Sequence, residues 1–287
     1  MYVMNFLNGK SDNMKTKVLI LGSTGLLGNT VSKYFLNNKN YDVVTTYRNK
    51  DYAFEGNALF FDALDSDFSK LPTDADYVIN CIGIIKPFMS QSIENAIRLN
   101  SLFPHELAAW CEETSSRLIH ITTDCVFSGT KGKYTESDLH DALDAYGKSK
   151  SLGECTDKAM VLRTSIIGDE IHKNASLIAW AKSQQNCTVN GFVNHFWNGV
   201  TTAEYARICD KIMLSDMYEN GLFHVHAADD VSKYQMLHYF NDKFALNLKI
   251  NSYETEELCD RTLRTEKELC KKLAIPTVKE MVEEMQS

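Results

Sequence analysis

The stretch Lys17-Val-Leu-Ile-Leu-Gly22-Ser-Thr-Gly25-Leu-Leu-Gly28 decides how the rest of the chain is read. Its first half is a short apolar run of the kind a strand buried on both faces needs. Its second half sets glycines at 22, 25 and 28 directly after that strand, at the opening of a helix expected over Leu26 to Asn37 with Leu27, Val31, Tyr34 and Phe35 on one face. In that context each glycine has a task. Gly22 permits the tight turn, Gly25 lets the backbone approach a pyrophosphate, and Gly28 lets helix and strand pack closely. The N–H groups that open the helix then face the phosphates. The same spacing also fits a plain tight turn between strand and helix.

Working outward, Val43-Val-Thr-Thr-Tyr47 reads as a second strand and Tyr77-Val-Ile-Asn80 as a third or fourth. Arg117-Leu-Ile-His-Ile-Thr122 and Lys158-Ala-Met-Val-Leu-Arg163 supply two more, with a helix over roughly Ser92 to Glu113 between Tyr77–Asn80 and Arg117–Thr122. Strands alternating with helices specify a parallel sheet covered on both faces. The expected fold is α/β, a Rossmann-type doubly wound parallel sheet over residues 14–168, with a smaller interleaved C-terminal substrate-binding domain. Past Gly168 the pattern changes: 169–198 reads as helix and loop, with Ala175 to Gln184 helical, Gly221-Leu-Phe-His-Val-His226 as strand, and 232–247 as helix. The last 30 residues read as charged and helical, interrupted at Pro276. The cap is therefore assigned to 169–198 and 228–287, with 199–227 returning to the first domain and 1–13 forming a disordered leader.

Length and charge narrow the function. A chain of 287 residues suits two domains or one large one. Its net charge of −8 argues against a general nucleic-acid or anionic-membrane binder, which needs a basic surface. No apolar run approaches the roughly 20 residues that span a bilayer. The N-terminal segment lacks the pattern of a secretory signal, so a cytoplasmic protein is expected. The eight cysteines include no CxxC pair, which leaves reduced, mostly buried thiols rather than a zinc ribbon or a disulfide framework. His224 and His226 share a strand face, but no third ligand accompanies them and no metal is expected. Trp110, Trp180 and Trp197 read as packing residues.

Two further features carry chemistry. Twenty residues past Gly28 stands Arg48, with no acid at the end of the second strand. An arginine there suits a ribose 2′-phosphate, whereas an acid would bind a 2′-hydroxyl, so NADP(H) is expected over NAD(H); the plain alternative is a solvated surface charge. The second feature is Tyr146-Gly-Lys-Ser-Lys150. Positions i and i+4 share a helix face, so phenol and ammonium project together, and the cation is expected to lower the Tyr146 pKa. Thr122-Thr123-Asp124 ends an expected strand, and the carboxyl ends of parallel strands are where such sheets bind ligands.

At these residues the chain resembles the extended short-chain dehydrogenase/reductase superfamily, over about residues 16–275. The run Ile121-Thr-Thr-Asp-Cys-Val-Phe-Ser-Gly129, then Tyr134-x-Glu136, Tyr146-Gly-x-Ser-Lys150 and Gly153-Glu154, is similar to the dTDP-4-dehydrorhamnose reductase family block S-T-D-Y-V-F-x-G, Y-x-E, Y-G-x-S-K and G-E. Arg163-Thr-Ser-Ile-Ile-Gly168 resembles the family's L-R-T-S strand. Asn80-Cys-Ile-Gly83 resembles the N-A-A-G that walls the cofactor, and Asp62-Ala63 the acidic pair near the adenine. The chain departs from the pattern at Cys125, where the family has Tyr. It departs also at Asp260-Arg261-Thr-Leu-Arg264, in place of R-P-x-N-S, and at Asn198-Gly-Val-Thr-Thr202, in place of Gly-x-Pro-Thr. These regions face substrate, so a different nucleotide-activated 4-keto-6-deoxysugar is as compatible as dTDP-4-dehydrorhamnose.

The resemblance implies an NADPH-dependent reductase of a nucleotide-diphospho-4-keto-6-deoxysugar, serving deoxysugar synthesis for cell-surface polysaccharide. Thr123, Tyr146 and Lys150 would be catalytic. Gly22, Thr24, Gly25, Leu26, Leu27, Gly28, Arg48, Asp62, Ala63, Cys81, Ile82, Gly83, Tyr146 and Lys150 would hold the cofactor. Thr123, Asp124, Tyr146 and Arg261 would hold the substrate, with Arg261 and Arg264 able to clamp a diphosphate. A homodimer is compatible. Sugar-nucleotide dehydratases follow the Thr-Asp pair with Glu; Cys125 stands there instead, which leaves simple reduction. Two alternatives remain: a non-catalytic NADP-binding module, like the regulatory subunit of methionine adenosyltransferase, and an NAD-retaining epimerase.

Overall fold

Strand β1 (Thr16–Leu21) turns Val18 and Ile20 to one side and Leu19 and Leu21 to the other, and all four are buried. Such a strand belongs inside a sheet covered on both faces. A computed structural model of the chain, which describes residues 15–52, 54, 56–169 and 176–286, puts it there. To its side stand β2 (Tyr41–Tyr47) and β3 (Ala58–Phe60). On the other side run β4 (Tyr77–Asn80), β5 (Arg117–Thr123) and β6 (Met160–Thr164). Every pair in this sheet is parallel.

The order 3-2-1-4-5-6 reverses direction between β1 and β4, and that switch point opens a crevice at the carboxyl ends of the strands. Helix α1 (Leu26–Leu36) covers one face, where Leu27, Val31 and Phe35 meet Val18 and Ile20. The other face is covered by a helix in three parts: α2 (Ile93–Ile97), a π-turn over Arg98–Leu102, and α3 (Phe103–Glu113). Pro104 has no N–H to give the carbonyl of Asn100 four residues back, which accounts for the widened turn. The freed carbonyl is met by Gly153, where a Cβ would lie 1.9 Å from it. Helix α4 (Ala145–Leu152) packs beside that turn.

After β6 the chain leaves the sheet. It forms β7 (Ile166–Ile167), α5 (Leu177–Ser183), β8 (Thr188–Phe192), β9 (His195–Trp197) and β10 (Val200–Thr201). It then returns through α6 (Thr202–Leu214) and β11 (Gly221–His224), which adds a seventh strand beside β6. Helix α6 packs against α1, and its Asp210 accepts hydrogen bonds from the phenols of Tyr34, at 2.7 Å, and Tyr41. The remainder comprises β12 (Val231–Ser232), α7 (Lys233–Phe244), β13 (Lys249–Tyr253), β14 (Cys259–Asp260), α8 (Leu269–Leu273) and α9 (Val278–Glu283). Strand β9 lies between β12 and β14, and β8 pairs with β13.

Four expectations change. Residues 185–197 hold strands rather than loop, and 258–268 hold β14 and loops rather than helix. The chain stays extended through 258–268 because it is paired with β9 and, at Leu263, with Tyr134. Trp180 is 39% exposed, unlike the buried Trp110 and Trp197. Cys111, Cys155 and Cys209 are buried, but Cys187 is exposed and the other four are half-buried. The leader at 1–13, and Ala175 as the start of a helix, lie outside the described residues. No helix among the described residues is long and apolar enough to cross a membrane.

Candidate active site

The glycine loop is fastened to the end of β2. Gly22 N–H donates to the Thr46 hydroxyl at 3.1 Å, and the Ser23 hydroxyl donates to the Thr46 carbonyl at 2.7 Å. Gly22 has φ +78°, and a Cβ on Gly28 would lie 2.1 Å from the Gly22 carbonyl, so both glycines are required by the turn itself. This loop borders a cleft of about 570 Å³. Of the residues assigned to the cofactor, Gly22, Thr24, Gly25, Leu26, Arg48, Asp62, Ala63, Cys81, Ile82 and Gly83 line it. Leu27, Gly28, Tyr146 and Lys150 do not: Leu27 is buried in the core, Gly28 is used in packing the turn, and Tyr146 and Lys150 stand on α4, outside the lining. Arg48 is exposed on the rim and forms no ion pair among the described residues. Asp62 accepts the Leu64 N–H at 3.0 Å and so shapes its own turn.

Beyond the cleft wall at Gly83, α4 meets β5. Gly147 makes that approach: a Cβ would lie 2.3 Å from the Cys125 carbonyl. The helix is capped by Asp144, which accepts the Gly147 N–H at 3.0 Å. Tyr146 is thereby brought to Thr123. Burial pushes the phenol well above its usual range, against a hydrogen bond with Thr123 that acts the other way. The expectation that Lys150 lowers the Tyr146 pKa is not met: burial, with Cys125, Asp124 and Asp144, raises it, and the Thr123 hydrogen bond opposes them. Lys150 is itself buried; its Nζ donates to the Ile121 carbonyl at 2.9 Å, and burial lowers its pKa to about 8. A Cβ on Gly83 would lie 3.9 Å from that Nζ, so Lys150 reaches the cleft wall.

Two supports went unread in the sequence. The Asn100 carboxamide accepts the Ile84 N–H at 2.8 Å and donates to the Ile84 carbonyl and the Ser149 hydroxyl, tying the cleft wall to α4. The signal was Pro104 inside a helical stretch. The second is Lys233, which opens α7 and interacts electrostatically with Asp124, Cys125, Cys259 and Arg261. Asp124 is buried, accepts the Thr123 hydroxyl at 3.2 Å, and has its pKa raised by burial against the pull of Arg261. Arg261 donates to the Phe127 and Ser128 carbonyls at 2.9 and 3.0 Å, so part of its guanidinium fixes the loop after Asp124. Arg264 is not a clamp at this site, since it pairs with Asp230.

With the geometry in hand, the chain can be set beside known proteins. The signature of the RmlD substrate binding domain extends over residues 16–271. The chain belongs to that family. It is 31% identical over 83% of its length to the methionine adenosyltransferase 2 subunit beta of Danio rerio, covering 78% of that protein. It is 27% identical to a dTDP-4-dehydrorhamnose reductase of Aggregatibacter actinomycetemcomitans, with 76% of each chain covered. Among solved structures, a dTDP-4-dehydrorhamnose reductase from Clostridium acetobutylicum superimposes with a TM-score of 0.73 at 23% identity, over 94% of this chain and 98% of that one. One from Bacillus anthracis, in complex with NADP, gives 0.74 at 17% over 95% and 99%.

Other residues of the RmlD-like block act in the scaffold. Arg163, fully buried, makes a two-pronged pair with Glu154 at 3.0 and 2.6 Å and donates to His224 Nε2 at 2.7 Å; His140 takes a further contact. His224 Nδ1 then donates to the Arg264 carbonyl at 2.7 Å. Glu136 accepts from the His224 and Glu266 N–H groups, each at 2.9 Å, and from the Thr265 hydroxyl at 2.6 Å. His226 bonds the Ala227 carbonyl at 2.8 Å. Both strand histidines are thus structural, and no metal-binding cluster occurs among the described residues.

Proposed function

We propose that the protein is an NADPH-dependent reductase of the 4-keto group of a nucleotide-diphospho-4-keto-6-deoxysugar. The observation that carries this reading is the glycine-loop cleft, to whose wall at Gly83 the Lys150 ammonium reaches from the same helix that brings Tyr146 to Thr123. The cleft fits a dinucleotide on its own terms. An added Cβ at Gly25 would meet nothing nearer than the Gly22 carbonyl at 3.5 Å, so the backbone is open to a pyrophosphate. The N–H groups opening α1 would hold it. Arg48 would pair with a 2′-phosphate, Asp62 and Ala63 would border the adenine, Cys81 to Gly83 would wall the ring system, and Lys150 would hold the ribose. NAD(H) is less suited, since no acid follows β2. The NADP in the Bacillus anthracis structure supports the same choice.

A nicotinamide cofactor bound there supplies a hydride. The chain's own residues supply the proton and its direction. Burial keeps the Tyr146 phenol protonated, the state in which it can donate to a sugar carbonyl oxygen. The Thr123 hydroxyl would hydrogen-bond the same oxygen, and Asp124 would orient the sugar through its loop. Lys150, charged below about pH 8, would fix the ribose beside them.

The likeness to the methionine adenosyltransferase subunit favours a second reading, a cofactor-binding module without turnover. Following NADPH absorbance against a panel of nucleotide 4-keto-6-deoxysugars separates the two. Oxidation with one of them is the expected result; none, with NADPH binding measured in the same preparation, makes the module the better account.

A further inference from the structure

The C-terminal cap delivers one cation whose surroundings the scaffold does not explain. Lys233 is the first residue of α7, after the capping box of Ser232 and Gln235. A positive charge there opposes the helix dipole, which already makes the N-terminus positive. The side chain is half-buried, and that partial loss of water lowers its pKa. An ammonium drawn out of water is costly unless an anion or several acceptors meet it. Yet the hydrogen-bond acceptor it finds among the described residues is the Met236 thioether at 3.7 Å, a weak one, and the Trp197 ring lies 5.6 Å away. It makes no salt bridge among the described residues. Asp124 attracts it from a distance, but that carboxylate is shared with Arg261.

The placement is specific. Strand β12 sets Ser232 opposite Phe196 of β9, and β14 sets Asp260 opposite the same residue. One small sheet therefore carries Lys233 and Arg261 side by side to the residues that follow Thr123. Two cations face one buried carboxylate at the catalytic end of β5, which leaves an excess positive charge on the substrate side.

We infer that Lys233 is a substrate-binding residue that takes an anionic oxygen of the nucleotide sugar. This deepens the proposed function and rests on it. The oxygen belongs to the diphosphate, because a 6-deoxysugar has a methyl group and no carboxylate at C6. Arg261, half committed to the Phe127 and Ser128 carbonyls, stiffens the opposite wall.

The test is titration calorimetry on the full chain, wild type, Lys233→Met and Lys233→Arg, each loaded with NADPH. The probes are dTDP against thymidine, and UDP-glucuronate against UDP-glucose. Loss of one charge-assisted hydrogen bond corresponds to about 10- to 100-fold in affinity. Lys233→Met is expected to lose that much on dTDP but not thymidine. A loss on UDP-glucuronate but not on UDP-glucose or dTDP overturns the diphosphate assignment and the 6-deoxysugar reading with it. Lys233→Arg should recover most of the loss, and NADPH affinity should not move. The unliganded melting midpoint of Lys233→Met should hold or rise, since an ill-matched charge has gone. Unchanged affinity for every probe the wild type binds overturns the inference and leaves the reductase reading standing. So does a fall in melting midpoint without a binding change, which makes Lys233 structural. A wild type that binds NADPH but none of the four probes overturns the sugar-nucleotide reading, and the inference with it.

Discussion

Two groups of buried charge lie close together in this chain and are built on opposite terms. Around Arg163, a guanidinium, a carboxylate and two imidazoles hand hydrogen bonds to one another, with Glu154 and His224 both buried against it. Around Tyr146, Lys150 has one carbonyl, Lys233 a thioether, and Asp124 a neighbouring hydroxyl. Glu154 and Arg163 in the first group, and Asp124, Tyr146 and Lys150 in the second, come from the same block of family-like motifs. Completeness of pairing separates those that hold the fold from those left with bonding capacity for something that arrives later.

The sharpest way to break this contrast is at Tyr146. Tyr146→Phe should lower turnover by about 10²–10⁴-fold while cofactor affinity, read by titration, stays put. In the wild type the rate should fall above about pH 8 as Lys150 loses its proton, rather than near the phenol's own range. Near-wild-type turnover in Tyr146→Phe would return the residue to an ordinary helix position. Next in size is Glu154→Gln, which strands Arg163. Breaking a buried pair costs about 3–5 kcal/mol, to be read from denaturant midpoints, with the cofactor cleft intact. An effect below about 1 kcal/mol would mean that the Arg163 group is no better matched than the Tyr146 group.

The third prediction uses acid. Burial, with Arg163 beside it, holds the His224 pKa at about 4, below the ordinary 6.5. As pH falls the unfolded chain takes the proton first, so the stability is full above about 6.5 and is lost toward about 4. The loss is on the order of 3 kcal/mol. His224→Gln should flatten that slope in urea titrations at stepped pH; an unchanged slope removes His224 as its source. The smallest effect concerns Arg48, an exposed charge belonging to neither group. Arg48→Asp should weaken NADPH by about 1.5–3 kcal/mol and spare NADH. Equal affinity of the wild type for both cofactors would remove Arg48 as the selector.

The strands of the main sheet other than β3 were legible because burial on both faces leaves an uninterrupted apolar run, as in Val18 to Leu21; β3 at the edge has no fully buried residue and gave no such run. Tyr77–Asn80 was read to the residue. The cap strands were not legible: β7, β10, β12 and β14 have two residues each, too short for any period to register. At the site, ten of the proposed cofactor residues line one cleft because the glycine spacing fixes a local geometry. Leu27 and Gly28 fell outside it because helix periodicity turns them inward. The Tyr146 pKa was misjudged because spacing on a helix gives proximity to Lys150 but says nothing of desolvation. Lys233 was invisible for a similar reason. Ser232-Lys-Tyr-Gln235 announces a helix cap, but only the pairing of β12 with β9 carries that cap to Asp124.

Strand β11 pairs with β6 only after the chain has travelled out through β7 to β10 and back along α6. During synthesis, therefore, β6 emerges long before its outer neighbour, and the sheet waits with one apolar edge uncovered. Such an edge is a template for pairing with other chains. A chain cut off near residue 168 would be a cofactor half complete in its motifs and prone to aggregate, without the segment that covers its edge.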